Sequence, residues 1–126
     1  MKYPIEPLNP IILPITIFGD QGSRTIDSLL DTGASYLVIT REDAIDIGYD
    51  LTFAPPFDVV TANGVVRAPR IVLNAVTLGP YTARNIPTLC LDMSGDRISS
   101  LLGLSFLSHF RISLDFKGRI LEIQDS

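Results

Sequence analysis

The stretch Leu29-Leu30-Asp31-Thr32-Gly33-Ala34-Ser35 decides how the rest of this chain is interpreted. Two apolar residues lead an acid into a turn of small residues, which predicts a carboxyl group held at the end of a buried strand. A carboxylate in that position can activate a water molecule. The stretch occurs once in the sequence, so chemistry that needs two such carboxylates would need two chains.

The residues before the acid are typical of a hairpin that ends at it. Residues 11–18 are predicted to form one strand, residues 19–23 its turn, and residues 24–30 the strand that leads into Asp31. After the acid, the apolar run 36–39 predicts a short buried strand.

A short helix is predicted after this strand. Thr40 has the form of an N-cap, with Glu42 in the first turn and Asp43 three residues after the cap. Gly48 suits a left-handed helix end. The acids Glu42, Asp43 and Asp46 are explained as a capped, solvated helix face.

The second half of the chain is punctuated by turn residues, which favours further hairpins. Strands 57–61 and 65–70 flank Ala62-Asn63-Gly64, because Asn-Gly between β-formers is a strong hairpin signal. The remaining predicted elements, in chain order, are strands 71–78 and 81–91, an outward polar loop 92–100, a short helix 104–110, and a last hairpin of 111–115 and 119–123.

Length and composition indicate one globular domain. The chain has 126 residues, of which 46% are hydrophobic and 19% charged. We expect an extended N-terminal arm at residues 1–10 and a single domain at residues 11–126. The net charge of −4, without Lys or Arg runs, argues against nucleic-acid binding. No membrane span or secretion signal is seen, which favours a cytoplasmic location.

Metal and cofactor sites are not predicted. Cys90 is the single cysteine, so the chain has no internal disulfide framework, and a small buried hydrophobe is its expected role. His109 is the single histidine, and one His with one Cys cannot supply a zinc-ligand set. No organic cofactor is implied.

Three elements follow one another in an informative order: the acid loop, the hairpin with Asn63 and Gly64 near its tip, and Leu101-Leu102-Gly103 leading into a helix. In this order, from about Ile11 to Ile123, the chain resembles retropepsin-like aspartic peptidases, most closely the small bacterial and cellular type. The resemblance implies an all-β, closed-barrel retropepsin fold with one or two short helices. It also implies that the glycine at 103 lets this element cross close behind the acid loop.

The resemblance implies a role for each matching residue. Asp31 is the expected catalytic acid, Thr32 is expected to lock two acid loops together across a dimer, and Gly33 to let the backbone approach substrate. The residues expected to border or contact a substrate are Ala34, Ser35, Asn63, Gly64 and Leu101. The implied function is that of a homodimeric aspartic endopeptidase acting on peptides or proteins.

Two departures from viral retropepsins limit the resemblance. Leu104 follows the second glycine where the viral enzymes usually carry an arginine that braces the dimer, which puts viral-style bracing in doubt. The hairpin tip also contains less glycine than the flap of a viral enzyme, which suggests a stiffer flap or narrower access for the substrate.

Other functions remain as alternatives. The same fold can serve as a dimerisation or peptide-binding module with weak or absent hydrolysis, in which case Asp31 is a structural acid. The activity can also depend on a partner or a longer native chain. A Ser105 and His109 nucleophilic pair ranks lower, because both lie on one short helical segment without a third acid.

Overall fold

The computed structural model describes residues 1–61, 64–92 and 98–125. These residues form ten strands and two short helices, which confirms the all-β class. The strands are β1 (Lys2–Pro4), β2 (Ile12–Gly19), β3 (Gly22–Leu30), β4 (Leu37–Thr40), β5 (Pro56–Thr61), β6 (Gly64–Leu78), β7 (Tyr81–Leu91), β8 (Leu101–Leu102), β9 (Arg111–Asp115) and β10 (Ile120–Gln124). The helices are α1 (Arg41–Asp46) and α2 (Leu104–Leu107).

The larger sheet is closed into a ring. Its strand order is β2-β3-β8-β4-β7-β6-β5. Strand β2 also pairs with β6, and this pairing closes the strands from β2 to β6 into a ring. In that pairing Ile17 lies opposite Val76. Strand β5 is attached outside the ring and pairs with β6 alone among the described strands, so one of its edges is available for hydrogen bonding.

The main core combines apolar side chains that alternate along the ring strands with side chains of α2 and β10. Its largest fully buried side chains are Phe106, Ile15, Ile17, Leu37, Ile39, Ile47, Leu73, Leu78, Ile86, Leu102, Leu121 and Ile123. The end of β3 is bonded on both sides, since the amide of Leu29 donates to the carbonyl of Ser100 at 3.0 Å and that of Leu30 to the carbonyl of Ile11 at 2.8 Å.

A smaller sheet, in the order β1-β10-β9, packs the two chain ends together. Tyr3 lies opposite Leu121 in the antiparallel pairing of β1 with β10. Ile5 is buried, and its N–H donates to the carbonyl of Arg119 at 3.0 Å. Leu8, by contrast, is 99% exposed.

Helix α1 begins as the sequence predicts. The Thr40 hydroxyl accepts a hydrogen bond from the N–H of Asp43 at 3.0 Å, and Gly48 has φ +108° just beyond the helix. The solvated-face interpretation is wrong for Asp43, which is buried and pairs with Arg24 at 3.1 Å. Arg24 also pairs with Asp46, so the hairpin of β2 and β3 is tied to the helix.

Thr40→Ala is expected to lower the free energy of unfolding by about 1 kcal/mol, because the amide of Asp43 loses its capping acceptor. Urea denaturation followed by circular dichroism measures the change. Thr40→Ser keeps the hydroxyl and serves as the control. Equal stability of the alanine variant and the wild type would contradict the capping role.

Three elements differ from the sequence-based expectation. Residues 64–78 form one continuous strand where two were predicted, because β6 pairs with both β5 and β7 along its length. Helix α2 is shorter than expected, since the amides of His109 and Phe110 donate only three residues back. Ser100 is buried where a loop was expected to turn outward, and its hydroxyl is hydrogen-bonded to that of Ser28 at 2.8 Å.

Candidate active site

Asp31 is located where β3 leaves the ring. Its N–H donates to the carbonyl of Leu102 at 3.1 Å, which fixes the backbone at this point. The amide of Gly33 donates to Asp31 Oδ1 at 3.0 Å, which orients the carboxyl group. Asp31 is half-buried, whereas Thr32 and Ser35 are exposed. The loop therefore presents an oriented carboxyl group at a surface of the protein.

Strand β8 holds this loop from behind. It runs parallel to β3 and antiparallel to β4, so it lies between the strands before and after the acid loop. The amides of Leu104 and Ser105 donate to the carbonyls of Ala34 and Ser35 at 2.8 and 2.9 Å. The acid loop is thus bonded through its backbone to the start of α2.

Gly103 makes this contact possible. A Cβ atom at position 103 would lie 2.3 Å from the carbonyl oxygen of Tyr36 and 2.6 Å from that of Ala34. Real Cβ atoms do not approach backbone oxygens so closely, so only glycine fits between the two segments. The close backbone packing expected at this position is confirmed.

A groove of about 340 Å³ lies between the acid loop and β5. It is lined by Gly33, Ser35, Tyr36, Phe57, Asp58, Val59, Val60 and Leu89. The residues from 57 to 60 belong to the outer strand of the hairpin of β5 and β6, so the groove has the acid loop on one side and this hairpin on the other.

An apolar cluster, here called the wall cluster, supports the groove. Its buried members are Val38, Ala68 and Leu89, and its partly buried members are Tyr36, Phe57, Val59, Leu91 and Leu101. The cluster is separate from the main core and joins β4, β7 and β8 to the hairpin. The shape of the groove therefore depends on contacts between residues that are far apart in the sequence.

The structure brings only some of the predicted site residues to this groove. Gly33 and Ser35 line it, and Asp31 lies in the same loop. Leu101 packs in the wall cluster, while the carbonyl of Ala34 is occupied by the Leu104 amide.

The remaining predicted site residues lie at the loop surface and at the hairpin. Thr32 is exposed and has no side-chain hydrogen bond within the described part of the chain. Gly64 begins β6 with φ +117°, as a hairpin glycine should. Asn63 lies outside the described residues.

The sequence alone did not identify the aromatic part of the groove. Tyr36 and Phe57 are groove-lining residues whose rings lie 6.5 Å apart. Tyr36 directly follows the acid loop, and this position is the one feature of the sequence that points to it as a groove residue. Phe57 and Leu89 carry no local signal, because their role comes from the pairing of β6 with β5 and β7.

The Ser105 and His109 alternative gains no support. Ser105 Oγ accepts a hydrogen bond from the Leu37 amide at 2.8 Å, which is a structural role for the hydroxyl. His109 is exposed, and its ring lies beside Phe110 at 6.4 Å.

The described residues contain neither a metal-binding cluster nor a membrane-spanning helix. The ranges 1–61, 64–92 and 98–125 contain no group of three or more His, Cys, Asp or Glu side chains placed to hold a metal ion. In the same ranges, neither helix is long and apolar enough to cross a bilayer.

Cys90 lies in the core on β7, and burial raises the pKa of its thiol from the ordinary 9.0 to about 12, despite the opposing effect of Arg41. The unfolded chain releases this proton at lower pH than the folded chain. The unfolded state therefore binds fewer protons above pH 9, and the free energy of unfolding falls between pH 9 and about 12.

We expect the Cys90 thiol of the native chain to resist alkylation at pH 8, since the thiolate is the reactive form and the side chain is fully buried. Iodoacetamide labelling followed by mass spectrometry measures the rate. The same labelling in guanidinium chloride is the control and should go to completion. Rapid labelling of the folded chain would contradict the buried position.

Comparison with known proteins identifies a family model and a solved structure that are similar to this chain. A family model described as gag-polyprotein putative aspartyl protease matches residues 20–109. The crystal structure of a retropepsin-like aspartic protease from Rickettsia conorii superimposes with a TM-score of 0.73 at 30% identity, covering 98% of this chain and 88% of that one. The retropepsin-like form of the all-β fold is thereby confirmed.

Two curated sequences are also similar. An uncharacterized protein of a Sinorhizobium species, from the region 5′ of cobV, is 43% identical over 88 residues. An uncharacterized protein of Rickettsia prowazekii (strain Madrid E) is 37% identical over 87 residues. Each match covers 68% of this chain but only 36% of the relative, so the matched segment spans little more than a third of these longer proteins.

Proposed function

Because the chain belongs to the retropepsin-like aspartic protease family, we propose that it is a homodimeric aspartic endopeptidase whose catalytic acids are the two copies of Asp31. The observation that carries this proposal is the placement of Asp31. Its carboxyl group is partly exposed, is oriented by the Gly33 amide, and lies in the loop that forms one side of the groove.

The need for a second copy follows from the chemistry. Amide hydrolysis requires an activated water molecule and a proton for the departing nitrogen, and one carboxyl group cannot be ionised and protonated at once. The acid loop contains a single acid, so the second carboxyl group comes from the same loop of another chain. A twofold axis beside the loop brings identical loops together, and the exposed Thr32 is available for the contact between them.

In the proposed reaction, the two Asp31 carboxyl groups share one proton, as is established for aspartic proteases. The ionised Asp31 removes a proton from water, and the resulting oxygen nucleophile attacks the peptide carbonyl carbon. The protonated Asp31 donates a hydrogen bond to the carbonyl oxygen and stabilises its developing negative charge. As the C–N bond breaks, the proton taken from water passes to the leaving nitrogen, and the starting state returns.

The proposed substrate is an extended peptide in the groove. Strand β5 forms one side of the groove and has an unpaired edge among the described strands, so a peptide can add to it as a further strand. The apolar lining from Tyr36, Phe57, Val59 and Leu89 favours cleavage next to hydrophobic side chains.

Digestion of a peptide library at several pH values and high protein concentration tests the function. High concentration is needed because assembly of the two loops follows mass action. We expect cleavage that a statine-type inhibitor blocks, since this inhibitor mimics the tetrahedral intermediate. Absence of inhibitor-sensitive cleavage under every condition would favour the peptide-binding module instead.

A further inference from the structure

Arg70 of β6 stacks against two aromatic rings at once. Its guanidinium carbon lies 5.3 Å from the centroid of the Tyr36 ring and 4.9 Å from that of the Phe57 ring. The two rings are tilted by 59° to one another, so they form an open angle around the cation. Both distances fall within the range of an attractive cation–π interaction.

No carboxylate among the described residues pairs with Arg70. The ion pairs of the described chain use other cations, such as Arg24 with Asp43 and Arg67 with Asp58. The Nε atom of Arg70 is buried and has no hydrogen-bond partner among the described residues. The aromatic faces are therefore the main attraction that holds this guanidinium in place.

The two rings belong to opposite sides of the groove. Tyr36 directly follows the acid loop, whereas Phe57 lies on β5. Arg70 lies on β6 opposite Leu89, which also lines the groove. A single side chain thus connects the acid-loop side of the groove to the hairpin side.

We propose that Arg70 is a positioning residue for substrate binding, which fixes the separation of Tyr36 and Phe57 and hence the shape of the groove. This inference rests on the proposed peptidase function. Arg70 acts through the two rings and not on the reacting atoms. A planar guanidinium can lie against two ring faces, whereas a lysine ammonium is compact and strongly hydrated, so lysine is a poor replacement here.

Steady-state kinetics on a cleaved peptide tests this role. In Arg70→Met, which removes the charge but keeps an apolar stem, we expect KM to rise on the order of tenfold with kcat nearly unchanged. Arg70→Lys is expected to restore only part of the loss. Arg84→Met is the matched control, because Arg84 is exposed on the neighbouring strand β7, and this variant should behave as wild type. A fall in kcat at constant KM would overturn the proposal.

Hydrogen exchange provides a readout that does not depend on hydrolysis. In Arg70→Met and Arg70→Lys, amides of β5 should exchange several-fold faster than in the wild type, while amides of α1 should be unchanged. Unchanged exchange in β5, or equal acceleration throughout the chain, would contradict the positioning role. If the wild-type chain cleaves no peptide, the proposed function fails, yet the exchange of β5 still decides whether Arg70 holds the groove.

Discussion

Asp31→Asn is expected to abolish peptide cleavage and to leave the chain folded and dimeric. Asparagine keeps the shape of the side chain, and its Oδ1 can still accept the hydrogen bond from the Gly33 amide. It cannot remove a proton from water or share one with the opposite carboxyl group. We expect kcat/KM to fall by at least about 10³-fold, which is typical of the loss of a general acid–base group.

The comparison needs a matched control and a check of folding. Asp27→Asn makes the same chemical change at an exposed position of β3, the strand that precedes Asp31, and should leave activity unchanged. Circular dichroism shows whether each variant is folded, and sedimentation shows whether it forms a dimer. An Asp31→Asn variant that cleaves peptides as the wild type does would remove Asp31 from the mechanism.

Gly103→Ala is expected to destabilise the protein by about 3 kcal/mol or more, because the new methyl group overlaps two backbone oxygens. Neither oxygen belongs to a flexible side chain, so the strain is relieved only by separating the acid loop from β8 and α2. That movement would break the hydrogen bonds from Leu104 and Ser105 to the loop. Activity should fall together with stability, since the same contacts hold Asp31.

A glycine substitution with less steric overlap, Gly33→Ala, separates the effect of overlap at position 103 from the general effect of replacing a flexible glycine. A Cβ atom at position 33 would meet only Asp31 Oδ1, at 3.3 Å, so Gly33→Ala should lower stability by about 1 kcal/mol or less. Urea denaturation of both variants gives the two values. Equal midpoints for Gly103→Ala and the wild type would show that the two segments are not in close contact.

Local sequence signals predicted the elements that carry Asp31. The hairpin before the acid was predictable because its strands alternate apolar residues and are joined by a glycine-containing turn. The cap of α1 was predictable because the Thr40 hydroxyl and the Asp43 amide are three residues apart. The glycine at 103 was predictable through the family resemblance.

The groove was not predictable in the same way. Arg70, Tyr36 and Phe57 meet through strand pairings between distant segments, and no spacing in the sequence encodes that meeting. The closure of the ring by β2 and β6 is likewise a long-range pairing. The solvated position predicted for Asp43 is wrong because its partner, Arg24, lies on a different element, β3. These contacts follow from the tertiary structure, where packing overrides local pattern.

The most direct measurement of the central claim is the activity of mixed dimers. Wild-type and Asp31→Asn chains are unfolded together, refolded at constant total concentration, and assayed on one peptide. If each site needs Asp31 from both chains, activity falls with the square of the wild-type fraction, to about one quarter when half the chains are wild type. A linear fall, to about one half, would mean that one chain carries a complete site and would contradict the account.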